Sequence, residues 1–218
     1  MDKEFRIVGT VSHADTLKSL LANPEGLACC DAVELRFDQH MDKDECLDLC
    51  KQIRKHKQVL LTIRTSREGG TWDIDDEDRF KLFQFFAPYV DMIDIELKSS
   101  LFANHTRDEF PSNLEVITSF HNYDETPSSA EIKELINSGK AWKSDIIKLA
   151  LYTHSEADVD TLKSFLNEKN ICLIGMGGEG LVTRTNFPLM GSVLTYGYLD
   201  DSAAPGQVSA KELSALLY

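Results

Sequence analysis

The sequence predicts a single-domain (β/α)8 TIM barrel, an α/β fold, spanning residues 1–218. Three observations predict it. Eight short β-branched or apolar runs recur along the chain, segments of helical periodicity lie between them, and ionisable residues alternate with apolar ones toward the ends of the runs. Eight strand–helix units without a linker suit a barrel better than a doubly wound sheet, which usually has fewer strands.

Strands are expected at residues 5–11, 31–37, 58–64, 90–96, 114–120, 144–151, 171–176 and 192–197. Phe5 to Val11 opens the series. In the second run Ala32, Glu34, Arg36 and Asp38 share one face and Val33, Leu35 and Phe37 the other, because strand side chains repeat every two residues. The apolar face must meet helices, which turns the charged face into the barrel. Cys46, Leu49, Cys50 and Ile53 then give one side of a helix. The third strand sets Thr62 and Arg64 opposite Leu61 and Ile63, and Phe80, Phe83 and Phe86 mark the next helix. The fourth sets Asp94 and Glu96 opposite Ile93, Ile95 and Leu97; the fifth carries Ser119 and leads into His121 at the start of a loop. Lys148 stands near the end of the sixth, backed by a helix with Val159, Leu162, Phe165 and Leu166. The seventh and eighth runs follow, and a last helix is expected at 209–217.

Composition narrows the function classes. Hydrophobic residues at 42% and charged residues at 27% exclude a disordered or fibrous chain. The 23 Lys plus Arg stand against 36 Asp plus Glu, a formal charge of −13 with no basic run, so neither nucleic acid nor an acidic membrane is an expected partner. An anionic substrate would need a few well-placed cations, which makes the scarce arginines informative. Five cysteines, without Cys-x-x-Cys spacing, suggest a reduced, cytoplasmic chain; Cys46 and Cys50 read as core thiols, not metal ligands. No signal core and no apolar stretch near 18 residues is evident.

Barrel enzymes place their sites at the C-terminal strand ends, and a charged barrel interior is costly unless paired or functional. Two readings of the convergent charges stay open: an ion-pair network, such as Glu34 with Arg36 or Arg64, or a reaction site. Lys148, inside an apolar run, is either an amine nucleophile that forms a Schiff base or a lysine paired with Glu34, Glu96 or another carboxylate. His121 is either a proton shuttle or a structural histidine. Glu68, before Gly69-Gly70, either orients that histidine or is a solvated loop charge. The Gly-rich segment at 177–180 could bind phosphate, but Glu179, Asp200 and Asp201 would repel a dianion, and Arg184 suits a carboxylate. Ala203-Ala204-Pro205-Gly206-Gln207 reads as a lid loop or an ordinary connection.

Together these segments resemble the type I 3-dehydroquinate dehydratases, the Schiff-base dehydroquinases of the shikimate pathway. The resemblance runs through Glu34-Leu35-Arg36-Phe37-Asp38, Arg64 with Glu68-Gly69-Gly70, Ser119-Phe120-His121-Asn122, Lys148, Met176 with Arg184, and Ala204-Pro205-Gly206-Gln207. It implies a homodimeric barrel that converts 3-dehydroquinate to 3-dehydroshikimate with no metal and no cofactor. It further implies Lys148 as nucleophile, His121 as general acid and base, and Glu68 as its partner. Glu34, Arg36 and Arg64 would bind ring hydroxyls, Arg184 and Gln207 the carboxylate, and Met176 and Tyr196 the ring. Ala203 stands where the family commonly has a lid serine and Tyr196 where it commonly has phenylalanine. The chain is expected to begin at its first strand, without the N-terminal hairpin of longer members, and to carry no fused second enzyme. Competing expectations are another Schiff-base barrel, such as an aldolase, and a noncatalytic ligand-binding barrel.

Overall fold

Alternation of strand and helix is realised throughout the computed structural model, which describes residues 5–39, 41–202 and 206–218. The strands are β1 (Arg6–Val11), β2 (Ala32–Arg36), β3 (Gln58–Thr62), β4 (Met92–Glu96), β5 (Glu115–Asn122), β6 (Ile146–Tyr152), β7 (Ile171–Met176) and β8 (Leu194–Tyr198). The longer helices between and after them are α1 (Ala14–Ala22), α2 (Lys43–Ile53), α3 (Asp76–Phe86), α4 (Ser100–Asn104), α5 (Ser129–Ala141), α6 (Glu156–Lys163), α7 (Thr183–Asn186) and α8 (Ala210–Leu217).

All ladders are parallel, in the order β7-β6-β5-β4-β3-β2-β1-β8. The nearly closed barrel is completed between β7 and β8 by Val193 N–H on Ile171 O at 2.8 Å and by the Ser192 hydroxyl, which accepts Leu173 N–H at 3.2 Å. The predicted strand positions hold to within two residues, with one consequence. β5 continues to Asn122, so His121 is the penultimate residue of a strand instead of the first of a loop. Helix α6 ends at Lys163, and Phe165 and Leu166 of the expected apolar stripe lie in the turn beyond it, where Leu166 is still buried.

Outward-facing strand residues such as Val33, Leu35, Leu61, Ile93 and Ile95 pack against α1 to α3, together with Cys46, Leu49, Cys50 and Ile53 of α2. Helix starts are fixed locally: the Asp42 carboxylate accepts Asp44 and Glu45 N–H before α2, and Ser128 and Glu131 form a reciprocal capping box on α5.

Inside the barrel, Val8, Ala32, Leu60, Met92, Ile117, Ile146, Cys172 and Leu194 belong to one buried apolar cluster. Below it Arg6 plugs the N-terminal end with a bidentate bond to Glu115 at 2.7 and 2.9 Å. Two residues further along the strands the interior turns polar, and this is the floor of the site. The interior cluster supports that floor, so Leu60→Ala should cost about 2–5 kcal/mol in urea unfolding, whereas Leu216→Ala, on the exposed face of α8, should stay within about 0.5 kcal/mol. Equal losses for the two variants would contradict a packed barrel interior.

Candidate active site

Strand register decides which side chains meet at the C-terminal mouth. Thr10 is paired with Glu34 across β1 and β2, Arg36 with Thr62 across β2 and β3, and Ser119 with Lys148 across β5 and β6. Each of these faces inward. Nine sequence-predicted residues border one pocket there: Glu34, Arg36, Arg64, His121, Lys148, Met176, Arg184, Tyr196 and Gln207. Thr10, Tyr123, Ala150 and Ile174 complete the lining. Glu68 stands behind His121, and Ala203 lies outside the described residues.

Lys148 is 4% exposed. Its ammonium donates to Asp94 Oδ2 at 3.1 Å and sits 4.2 Å from the centre of the Tyr196 ring. Neither Glu34 nor Glu96 is its partner. Asp94 is shared: its Oδ1 accepts from Arg64 Nη1 at 3.0 Å and from the Ser119 hydroxyl. Burial alone would raise the Asp94 carboxyl, but Arg64 and then Lys148 outweigh it and hold the group far below the usual carboxylate range. Arg64 Nη1 reaches Glu96 Oε1 as well, at 3.1 Å, and accordingly stays charged against its own desolvation.

The pairing of Glu34 with Arg36 or Arg64, one of the two open readings, is not formed; Glu34 accepts from two hydroxyls, Thr10 and Thr62, each donating at 2.7 Å. Arg36 instead grips Asp38 in a bidentate fork at 2.9 and 2.7 Å. Both changes follow from register: on neighbouring strands the threonines flank Glu34, while Arg36 lies level with the strand ends and turns to the residue just beyond them.

Glu68 is carried on a short 3-10 turn, Ser66–Glu68, ended by Gly69 with φ of +86°, a conformation that favours glycine. A Cβ at Gly69 would lie 2.5 Å from the Tyr123 hydroxyl, so the same position lets Tyr123 close over the turn. Glu68 Oε2 accepts His121 N–H at 2.8 Å and lies 2.9 Å from His121 Nδ1. While Glu68 is ionised it only accepts, so in that state Nδ1 carries the ring proton and Nε2 is left for the pocket. Burial pushes the Glu68 carboxyl up to about 7 against the pull of Arg64. Burial first, then Arg64 and Lys148, push the His121 imidazole well below its usual range.

The opposite wall is apolar, with Ala150, Ile174, Met176 and Tyr196. Arg184 reaches through it from α7. Its Nη1 donates to Tyr196 O at 3.1 Å, and burial lowers its guanidinium to about 10, which leaves it charged near neutrality. Among the described residues no carboxylate pairs with it, and the two buried side-chain polar atoms without a partner are Arg184 Nε and Tyr196 Oη. An unmet buried donor costs about 1–3 kcal/mol, which an anionic ligand would recover.

Sequence reasoning groups Asp94 and Ser119 with the convergent charges without assigning them to the site, and it misses Thr10, Tyr123, Ala150 and Ile174. Asp94 had a signal, since it is the inward-facing acid two residues before Glu96. Tyr123 had none, because its place depends on the path of the loop after β5.

Residues 11–218 match the family model for the type I 3-dehydroquinases. A 3-dehydroquinate dehydratase of Thermodesulfovibrio yellowstonii is 32% identical over 202 residues, covering 90% of this chain and 88% of that protein. The crystal structure of 3-dehydroquinate dehydratase from Geobacillus kaustophilus superposes with a TM-score of 0.83 at 26% identity, covering 97% of this chain and 89% of that one. A type I 3-dehydroquinate dehydratase from Clostridium difficile, solved with covalently modified comenic acid, gives 0.82 at 25% identity, over 97% and 90% of the two chains.

The electrostatics of the histidine have a direct readout. A ring that resists protonation keeps its base form as pH falls, so nitrogen NMR of His121 should give a midpoint below the ordinary 6.5. As far as His121 governs it, activity should then persist as pH falls through 6.5. A midpoint at or above 6.5 would contradict the buried, cation-flanked setting.

Proposed function

The chain belongs to the type I 3-dehydroquinase family, and from that membership and the pocket we propose that it converts 3-dehydroquinate to 3-dehydroshikimate and water through an imine on Lys148. The observation that carries the proposal is a buried lysine amine bordering the same pocket as a neutral, carboxylate-anchored histidine. Binding a hydroxy acid needs neither group; an elimination beside a ketone uses both.

In the proposed reaction the neutral Lys148 amine adds to the substrate ketone, and the carbonyl oxygen leaves as water to give a protonated imine. His121 Nε2 takes the proton from the adjacent carbon, and the electron pair left behind is drawn into the imine as an enamine. The pair then returns to expel the β-hydroxyl, which takes its proton from His121. Water hydrolyses the imine, frees Lys148 and releases the enone. One water is consumed and two are released, so the net change is loss of one. Catalysis comes from groups that bind the developing charge better than the ground state.

The remaining residues divide by chemistry. Arg184, a buried cation with no carboxylate partner among the described residues, is suited to the substrate carboxylate, with Gln207 bordering the same pocket. Glu34, Arg36 and Arg64 face the ring hydroxyls, and Met176 and Tyr196 offer the ring an apolar wall. Glu68 holds the His121 tautomer. The proposal extends to one catalytic domain over residues 1–218, acting as a cytoplasmic homodimer. Five free thiols accord with a reducing compartment, and no helix among the described residues is long and apolar enough to cross a membrane.

Mixing the protein with 3-dehydroquinate should raise the enone absorbance, and borohydride should trap a substrate-derived adduct on the Lys148 peptide. Lys148→Ala should lose both signals. His121→Ala should keep the adduct while turnover falls by about 10²–10⁴ or more, the range of one general acid–base group used here in several steps. An adduct on another lysine would remove Lys148 from its role, and a wild-type rate in the histidine variant would remove His121. Trapping without enone formation would point to a different Schiff-base reaction.

A further inference from the structure

Helix α3 lies outside the barrel, yet its Arg79 side chain is fully buried. Arg79 Nη2 is bonded to Glu96 Oε2, Nη1 to Asp76, and Nε donates to Ile63 O at 3.0 Å. Arg79 does not border the substrate pocket. It is instead the outer end of an alternating chain of buried charges: Arg79, Glu96, Arg64, Asp94, Lys148.

The weak point of that chain is Arg64 Nη1. It has two hydrogens and three acceptors within reach: Asp94 at 3.0 Å, Glu96 at 3.1 Å and Ser119 at 2.8 Å. Glu96 can leave Arg64 largely to Asp94 because Thr65 N–H, at 2.9 Å, competes for the same Oε1 and Arg79 satisfies Oε2 from the other side. We propose that Arg79 is a positioning residue for Lys148: by holding Glu96 it keeps Arg64 on Asp94, and so loosens the hold of Asp94 on the lysine ammonium. The inference builds on the reading of Lys148 as the amine nucleophile, since attack requires that ammonium to release its proton.

Without Arg79, Glu96 would draw Arg64 toward itself, leave Asp94 less neutralised and strengthen the lysine–aspartate pair. The amine would then become reactive only at higher pH. The other charged, titratable or hydroxyl-bearing groups around Lys148 are Arg64 just beyond β3, Ser119 and His121 of β5, Cys172 of β7 and Tyr196 of β8, and elsewhere on the pocket Glu34 and Arg36 of β2 and Arg184 of α7. None of them is bonded to Arg79, whose links toward the barrel are the Glu96 carboxylate and Ile63 O, next to Arg64; a change carried by charge travels through Glu96, a route that the double variant Arg79→Met/Glu96→Gln isolates.

The test is the pH dependence of borohydride trapping of acetaldehyde on Lys148, read by mass analysis of its peptide, with 3-dehydroquinate turnover in parallel. In Arg79→Met the trapping rate should fall about tenfold at pH 7, the equivalent of one pH unit, and recover to the wild-type rate as pH rises. Arg79→Gln, a milder change should the methionine variant not fold, should shift in the same direction. Arg79→Lys should restore most of the rate. In Arg79→Met/Glu96→Gln, which removes both charges, the profile should return toward wild type. A loss of equal size at every pH, an unmoved profile, or no return in the double variant would overturn the proposal. If acetaldehyde trapping shifts as described while wild-type protein leaves 3-dehydroquinate unchanged, the dehydratase reading fails and the role of Arg79 stands. The converse result separates them in the other direction.

Discussion

Arg64 has fewer hydrogens on one nitrogen than the acceptors around it, and the barrel mouth is arranged by how that shortage is met. Two carboxylates with negligible exposure, Asp94 and Glu96, would each be costly to ionise alone. Placed two residues apart on β4 they point the same way and fall within reach of a single guanidinium, that of Arg64 just beyond β3. Each then takes a further cation on its far oxygen, Lys148 on the barrel side and Arg79 on the helix side. The alternation of sign lets five charged side chains share a space from which water is largely excluded. It also ties the state of any one of them to its neighbours, since a low local dielectric strengthens each bond and penalises each vacancy.

The same packing divides the pocket into unlike halves. From β2 to β5, and at Lys148 of β6, the inward residues at the mouth are charged or hydroxylic, whereas Ala150 further along β6 joins Ile174, Met176 and Tyr196 of β7 and β8 on the apolar side. A flat, apolar molecule would leave the first half unmatched, and an open-chain polyanion would leave the second. A ring with hydroxyls on one face or edge and carbon on the other satisfies both, which is the shape proposed for the substrate. Lys148 lies at the seam, bonded to Asp94 on the polar side and stacked near Tyr196 on the other.

Much of this was legible in the chain. Period-two alternation in residues 31–38, 60–64 and 92–97 distinguishes the faces, and once the apolar face is assigned to the helices, Glu34, Arg36, Arg64, Asp94 and Glu96 can only point inward. Their partners were not legible, because pairing depends on stagger between strands, and a barrel's stagger is a property of all eight together. Hence the alternation alone allows an arginine on Glu34, where two threonines stand, and does not choose among the carboxylates for Lys148. Glu68 shows the opposite limit. Its spacing from His121 carries no signal, but Gly69-Gly70 beside it marks a tight turn, and that turn is what brings a loop carboxylate 2.9 Å from the imidazole. Arg79 was hidden more completely, since a charged residue within a helix that begins Asp76-Glu77-Asp78 reads as part of its solvated face.

Net charge says little about where an anion can sit. The chain carries −13, yet what an anion meets in the pocket is the balance of charges there. Of the four arginines and lysines that border it, Arg36 is committed to Asp38, Arg64 to Asp94 and Glu96, and Lys148 to Asp94. Among the described residues Arg184 has no such commitment, and its Nε is an unmet donor. On the proposed reading a substrate carboxylate would gain most at Arg184, on the β7–β8 side. Were it to bind at Arg64 instead, it would compete with Asp94 and Glu96 and weaken the network that holds Lys148. The paired cations would then exclude the anion as well as support the site: among the described residues that border the pocket, Arg184 is the cation that could accept it and leave the rest of the charge chain undisturbed.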